Sequence, residues 1–149
     1  MLGYDCRPDT SQTNRFIETR CRPLKDFFVR VLYVEDNRQL REAIHSLLVG
    51  EGREVAACET AEEALALDTS QAFDLVITDV TLPGMSGVEL SARLLSTDPE
   101  RRIVLCSGHM MDDKVKELGA PHVRALLKPF SVDDLETLVE DAQAELAKR

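Results

Sequence analysis

The sequence predicts an α/β fold, a parallel sheet sandwiched by helices, and two regularities carry that reading. From Val29 onward, short apolar runs alternate with stretches of helical periodicity, the pattern of consecutive βαβ units. Four of the runs also end at residues with complementary chemistry. Val31 to Val34 stops at Glu35-Asp36, Leu75 to Thr78 at Asp79, Ile103 to Cys106 at Ser107, and Val123 to Leu127 at Lys128-Pro129. Parallel strands of one sheet bring their carboxyl ends to a single crevice, where open α/β sheets place their sites.

The first run leads into a predicted helix over Arg38 to Val49, with Leu40, Ile44, Leu47 and Leu48 at helical spacing and Gly50 and Gly52 ending it. Val55 to Cys58 reads as a short strand. Thr60, with Glu63 three residues on, has capping-box spacing and opens a helix carrying Ala64, Leu65 and Leu67. Phe73 to Thr78 is apolar without alternation, as in a strand buried on both faces. Val88 to Ser96 repeats the helical stripe through Leu90, Leu94 and Leu95. Met111, Val115 and Leu118 mark a fourth helix, closed by Gly119. Ser131, with Asp134 three on, caps a last helix through Leu135, Leu138, Val139, Ala142 and Leu146. The reading is βαβαβαβαβα with right-handed crossovers, and no second domain is expected after the last helix.

A chain of 149 residues fits one domain. Its net charge of −9 argues against nucleic acid and anionic membrane surfaces as partners. No apolar run approaches the ~20 residues of a membrane helix, and the first residues lack a secretory pattern. Cys58 and Cys106 lie inside apolar runs and read as buried thiols, while Cys6 and Cys21 sit in a polar N-terminal segment with no pairing selected. No Cys-x-x-Cys is present, so a zinc site is not expected, and a reducing cytoplasm fits best. Residues 1–28 are interrupted by Pro8 and Pro23, and their five basic residues offset four acidic ones. They are expected to form a flexible extension, with the domain spanning 29–149.

The strand-end residues suggest a reaction. Adjacent carboxylates at Glu35-Asp36 repel a phosphate and attract a cation, and with Asp79 they can supply three oxygen ligands of the kind Mg²⁺ takes. A helix start attracts acids too, so the pair taken alone is also explained by the helix opening at Arg38. Asp79, on a strand end ahead of the turn-rich Leu82-Pro83-Gly84, can attack phosphorus or simply ligate the metal. The Ser107 hydroxyl and the Lys128 ammonium can each take a phosphoryl oxygen, and positioning and charge neutralisation are most of what phosphoryl transfer needs. Lys128-Pro129 at a strand end also suits a cis bond that turns the chain there.

Glu35-Asp36, Asp79, Ser107 and Lys128-Pro129-Phe130, in this order on these elements, resemble the receiver (response-regulator) domain of two-component signalling, from about Val29 to Leu146. The resemblance implies a flavodoxin-like, doubly wound five-stranded sheet in the order 2-1-3-4-5 with five helices. It implies Mg²⁺ on Glu35, Asp36, Asp79 and the Thr81 carbonyl. It further implies that Asp79 accepts a phosphoryl group from a histidine kinase or histidine phosphotransfer protein, with Ser107 and Lys128 gripping the phosphoryl oxygens. The protein is then a self-phosphorylating and self-dephosphorylating switch, not a turnover enzyme, acting on a downstream effector without an output domain of its own, as a monomer or weak homodimer. Three departures stand out. Ala125 occupies the place of the family's aromatic switch, three residues before the lysine. Thr81 and His109 stand two residues after the acceptor and the hydroxyl, where the family tunes the lifetime of the phosphorylated form. The stretch from Gly119 to Lys128 is longer than the family's. Other readings remain. A strand-end-aspartate phosphatase needs a second acid where Thr81 stands. A flavodoxin-like cofactor carrier needs hydroxyls and amides where Glu35-Asp36 stand. A phosphorylation-independent docking module of the same fold is kept open by Ala125.

Overall fold

The structure, a computed structural model, describes residues 29–50 and 52–147, together with the dipeptides Tyr4–Asp5 and Arg22–Pro23, which pair antiparallel. The expected N-terminal extension otherwise lies outside the described residues, as do Cys6 and Cys21. Five strands alternate with five helices: β1 Val29–Val34, α1 Arg38–Leu48, β2 Arg53–Cys58, α2 Ala61–Ser70, β3 Leu75–Asp79, α3 Gly87–Thr97, β4 Arg102–Ser107, α4 Asp112–Leu118, β5 Val123–Leu127 and α5 Val132–Ala147. All five strands are parallel, in the order β2-β1-β3-β4-β5.

The apolar runs of the central strands divide by parity. Val31, Tyr33, Leu75, Ile77, Val104 and Cys106 face one side, packed with Ile44 and Leu48 of α1 and Leu135, Val139 and Ala142 of α5. Leu32, Val34, Val76, Ile103 and Leu105 face the other, packed with Ala61 and Ala64 of α2 and Leu90 and Leu94 of α3. Successive side chains of a strand point to opposite faces, so a strand covered by helices on both sides must be apolar throughout. Each such side chain contributes about 1.5–3 kcal/mol on burial.

The helix signals act as read. Thr60 Oγ1 accepts from the Glu63 N–H, and Ser131 and Asp134 bond reciprocally, Asp134 N–H to Ser131 Oγ and Ser131 N–H to Asp134 Oδ2. The differences are local. Leu47 is 42% exposed, because Ile44 and Leu48 alone of α1 are buried and Leu47 lies a hundred degrees round the helix from Leu48. Phe73 is buried but precedes β3, whose ladder starts at Leu75. Strand β2 begins two residues earlier than expected, at Arg53. The polarity of Arg53 and Glu54 hid this, yet both pair with β1. Met111 stands outside α4, and none of that helix's seven residues is buried.

Arg53 also ties the sheet edge to α5. Its guanidinium donates to both carboxylate oxygens of Glu136 at 2.9 Å. That fork holds the Glu136 carboxyl below its ordinary range. Near the strand ends, Gly87 N–H bonds the Val80 carbonyl at 2.9 Å and closes the β3–α3 loop. A Cβ on residue 87 would collide with the Asp79 carbonyl oxygen, so glycine alone lets α3 start this close to β3.

Two outcomes follow. Gly87→Ala should lower stability by about 1–3 kcal/mol in urea unfolding, the cost of overpacking against backbone; an unchanged midpoint would contradict the contact. A depressed folded-state pKa stabilises above the ordinary glutamate value and ceases to as pH falls through the folded one. The stability advantage of the wild type over Glu136→Gln should therefore be full at neutral pH and be lost progressively once the pH falls below the ordinary glutamate value.

Candidate metal and phosphoryl site

The carboxyl ends of β1 and β3 lie side by side, because both strands pair directly. The sheet thereby brings Glu35, Asp36 and Asp79 together, with one carboxylate oxygen from each all within 4.8 Å of one another. Oxygens around an octahedral Mg²⁺ sit ~2.1 Å from it and so ~3–4 Å apart, a span this cluster reaches with small side-chain adjustment. The donors are hard, anionic oxygens, which suits that ion.

Lys128 arrives from the end of β5, on the far side of β4. Its Nζ lies 2.9 Å from Asp79 Oδ1 and 3.3 Å from Glu35 Oε1. The Lys128-Pro129 bond is cis, as anticipated. Burial pulls the ammonium's pKa down, but the hydrogen bond and charge of Asp79, joined by Glu35, outweigh it and hold it above its ordinary value. Three carboxylates and one ammonium leave two formal negative charges, the charge that one divalent cation cancels.

The two adjacent acids are not equivalent. Asp36 is exposed, whereas Glu35 is 2% exposed and both of its oxygens already have donors. Oε2 accepts from the Asn37 N–H at 3.2 Å, and Oε1 meets Lys128 and the Tyr33 hydroxyl, the latter at 3.5 Å. Burial, with the charge of Asp79 adding to it, pushes the Glu35 carboxyl up, against the pull of Asn37 and Lys128. Burial also drives the Tyr33 phenol far above its usual range, so it stays a protonated donor. Asp36 and Asp79 are therefore the acids with oxygens open to a cation.

Ser107 ends β4, 9% exposed, with its Oγ accepting from the His109 N–H at 3.0 Å. That leaves the hydroxyl proton free to donate. The Lys128 N–H bonds the Ser107 carbonyl at 2.7 Å, so the hydroxyl and the ammonium are carried by one stretch of ladder. Thr81 is exposed in the loop after Asp79, and His109 is exposed beyond Ser107. Cys106 pairs in register with Asp79, and Cys58 ends β2. Burial pushes both thiols up to about 12, which leaves them inert.

Three contributors were not singled out from the sequence. Tyr33 is the one aromatic in the Val29–Val34 run, a signal that was available. Asn37 caps α1 through Oδ1 while its N–H holds Glu35. Arg41 reaches back from α1, and its Nη1 donates to the Glu35 carbonyl at 2.8 Å. No residue pattern announces that contact. Ala125 is exposed on β5 and offers no bulky group to swing.

Comparison with known proteins gives a consistent picture. Residues 31–140 match the family model of the response regulator receiver domain. The response regulator protein FleR of Pseudomonas aeruginosa is 37% identical over 111 residues, which cover 74% of this chain and 24% of FleR. A response regulator receiver protein of Anaeromyxobacter is 36% identical over 104 residues, covering 69% of this chain and 44% of that protein. This chain thus spans less than half the length of these relatives. Among solved structures, a CheY-like receiver domain protein of Methanospirillum hungatei superposes with a TM-score of 0.72 at 27% identity, covering 81% of this chain and 98% of that one. The response regulator TrrA of Thermotoga maritima, in complex with Mg²⁺-BeF, superposes at 0.68 with 29% identity, covering 77% and 99%. Among the described residues no helix is long and apolar enough to cross a membrane.

The charge count has a signed consequence. Asp36→Asn should raise the unfolding free energy in chelator by about 1 kcal/mol, for two charges ~4 Å apart in water. It should also remove most of the further rise that Mg²⁺ gives the wild type, about 2.7 kcal/mol at a hundredfold excess over Kd. Equal Mg²⁺ response in both proteins would exclude Asp36 from the site.

Proposed function

The chain belongs to the response regulator receiver family, and on that premise we propose that it is a phosphoacceptor switch that takes a phosphoryl group onto Asp79 with Mg²⁺ bound beside it. One observation carries this reading: the Asp79 carboxylate sits on a strand end with two further acids within 4.8 Å and the Lys128 ammonium 2.9 Å away. A pure scaffold has no need for three converging carboxylates, which repel one another.

Asp36 and Asp79, with the Thr81 carbonyl, are the groups proposed to hold Mg²⁺ directly, and Glu35 completes the negative field around it. The TrrA complex with Mg²⁺-BeF supports that choice of ion. Bound there, Mg²⁺ neutralises phosphoryl oxygens and lets an anionic carboxylate approach an anionic phosphate. An Asp79 oxygen attacks the phosphorus of a phosphohistidine on a histidine kinase or phosphotransfer protein. The new O–P bond forms as the P–N bond breaks, and the imidazole leaves with the electron pair. Lys128 moves from Asp79 to a phosphoryl oxygen, and Ser107 donates its free hydroxyl proton to another.

Those two moves are the switch. Ser107 opens the β4–α4 loop, and Lys128 is bonded to the Ser107 backbone, so both pull on one edge of the sheet. With Ala125 in place of an aromatic, the readout rests on the Gly108 to Met111 loop, where Met110 is 73% exposed, and on α4, whose Val115 and Leu118 are only partly buried. A downstream partner that senses this face is the proposed output. His109, exposed at the same loop, is the group proposed to order the water that ends the signal.

Incubation with Mg²⁺ and a small acyl or amido phosphate should add one phosphoryl mass to the wild type, none in chelator and none to Asp79→Asn. Uptake by Asp79→Asn would overturn the assignment. Partner affinity indifferent to that substitution would favour the phosphorylation-independent docking module instead.

A further inference from the structure

The turn that leads the chain away from Asp79 is held by a side chain from a different helix. Leu82-Pro83-Gly84-Met85 has proline second and glycine third, with Gly84 at φ +74, the arrangement of a type II turn. Such a turn, when closed, gives the N–H of its fourth residue to the carbonyl of its first. Here the Met85 N–H is donated to Glu62 Oε2, at 3.2 Å, from the first turn of α2. A Cβ on residue 84 would stand 3.0 Å from the same oxygen, so glycine leaves the carboxylate its place over the turn.

The remaining attachments of the loop lie elsewhere along it. Its base is closed between Val80 and Gly87, and Leu82, 8% exposed, belongs to the core cluster shared by α2 and α3. Among the described residues, Glu62 provides the one side-chain hydrogen bond that reaches residues 80–85 from another element. The loop begins at the residue after Asp79 and contains Thr81.

We infer that Glu62 is a positioning residue for the Mg²⁺ site, holding the β3–α3 loop so that the Thr81 carbonyl faces the cation. This rests on the functional reading above, in which Thr81 supplies a ligand. Glu62 touches neither the cation nor the phosphoryl group. It acts by removing freedom from the backbone that carries a neutral ligand, whereas Asp36 and Asp79 act by charge. The role needs a hydrogen-bond acceptor and not a carboxylate charge, which separates it from a general electrostatic effect.

The test compares wild type, Glu62→Ala and Glu62→Gln by titration with Mg²⁺ alone, by phosphoryl uptake from acetyl phosphate at limiting and saturating Mg²⁺, and by exchange of the Met85 amide. Glu62→Ala should bind Mg²⁺ about two- to tenfold more weakly, the range of one hydrogen bond. Its uptake should fall in proportion at limiting Mg²⁺ and recover at saturation, and its Met85 amide should exchange faster. Glu62→Gln, which keeps a carbonyl acceptor, should stay near wild type in all three. Unchanged Mg²⁺ affinity in Glu62→Ala, or equal loss in Ala and Gln variants, would overturn the inference while leaving the Asp79 assignment standing. A wild type that takes up neither Mg²⁺ nor phosphoryl would overturn both.

Discussion

Like charges held together are what this site requires and what folding resists. Glu35, Asp36 and Asp79 converge from two neighbouring strands, and one of them, Glu35, is buried. Left to themselves they would repel or protonate. Lys128 makes the cluster tenable by reaching across the end of β4 to two of the three acids. It does so only in part, since two formal negative charges remain. That residue of unbalanced charge is a standing preference for a divalent cation, and a site so poised trades some stability for function.

The fold supplies the rigidity that the cluster lacks. Strands buried on both faces divide their side chains between two cores, one under α1 and α5 and the other under α2 and α3. The site sits at the rim where both cores end: Asp79 and Ser107 are held by the sheet itself, and Glu35, Asp36 and Lys128 directly follow strand ends. The supporting contacts are then short and local: Arg41 on the Glu35 carbonyl, Asn37 on the Glu35 carboxylate, Gly87 against the Asp79 carbonyl.

Rigidity is unevenly distributed. The side of the sheet beneath α1 and α5 is cross-tied by the Arg53–Glu136 fork. On the far edge, α4 packs Val115 and Leu118 against the core only partly buried, and β5 fully buries Val123 alone. Regions with few buried apolar contacts open at low free energy and are drawn on for motion. The residues that would grip a phosphoryl group, Ser107 and Lys128, lie at that compliant edge, so a small pull at the site has a soft element to act on.

Much of this was legible in the residue order alone. Among the described residues, periodicity placed each of the five helices, and apolar runs placed each strand of the main sheet. Capping pairs at Thr60-Glu63 and Ser131-Asp134 marked two helix starts, because those signals are local and act within one turn. The acids, the hydroxyl and the lysine were also legible, since each ends an apolar run. What local chemistry left open was decided by distance across the sheet. That Glu35 is enclosed while Asp36 stays open, that Tyr33 and Arg41 brace the first acid, and that Glu62 holds a turn twenty-three residues away all depend on which elements become neighbours. Such contacts leave no periodic trace, because they join single side chains to backbone groups whose proximity exists only once the strands have paired.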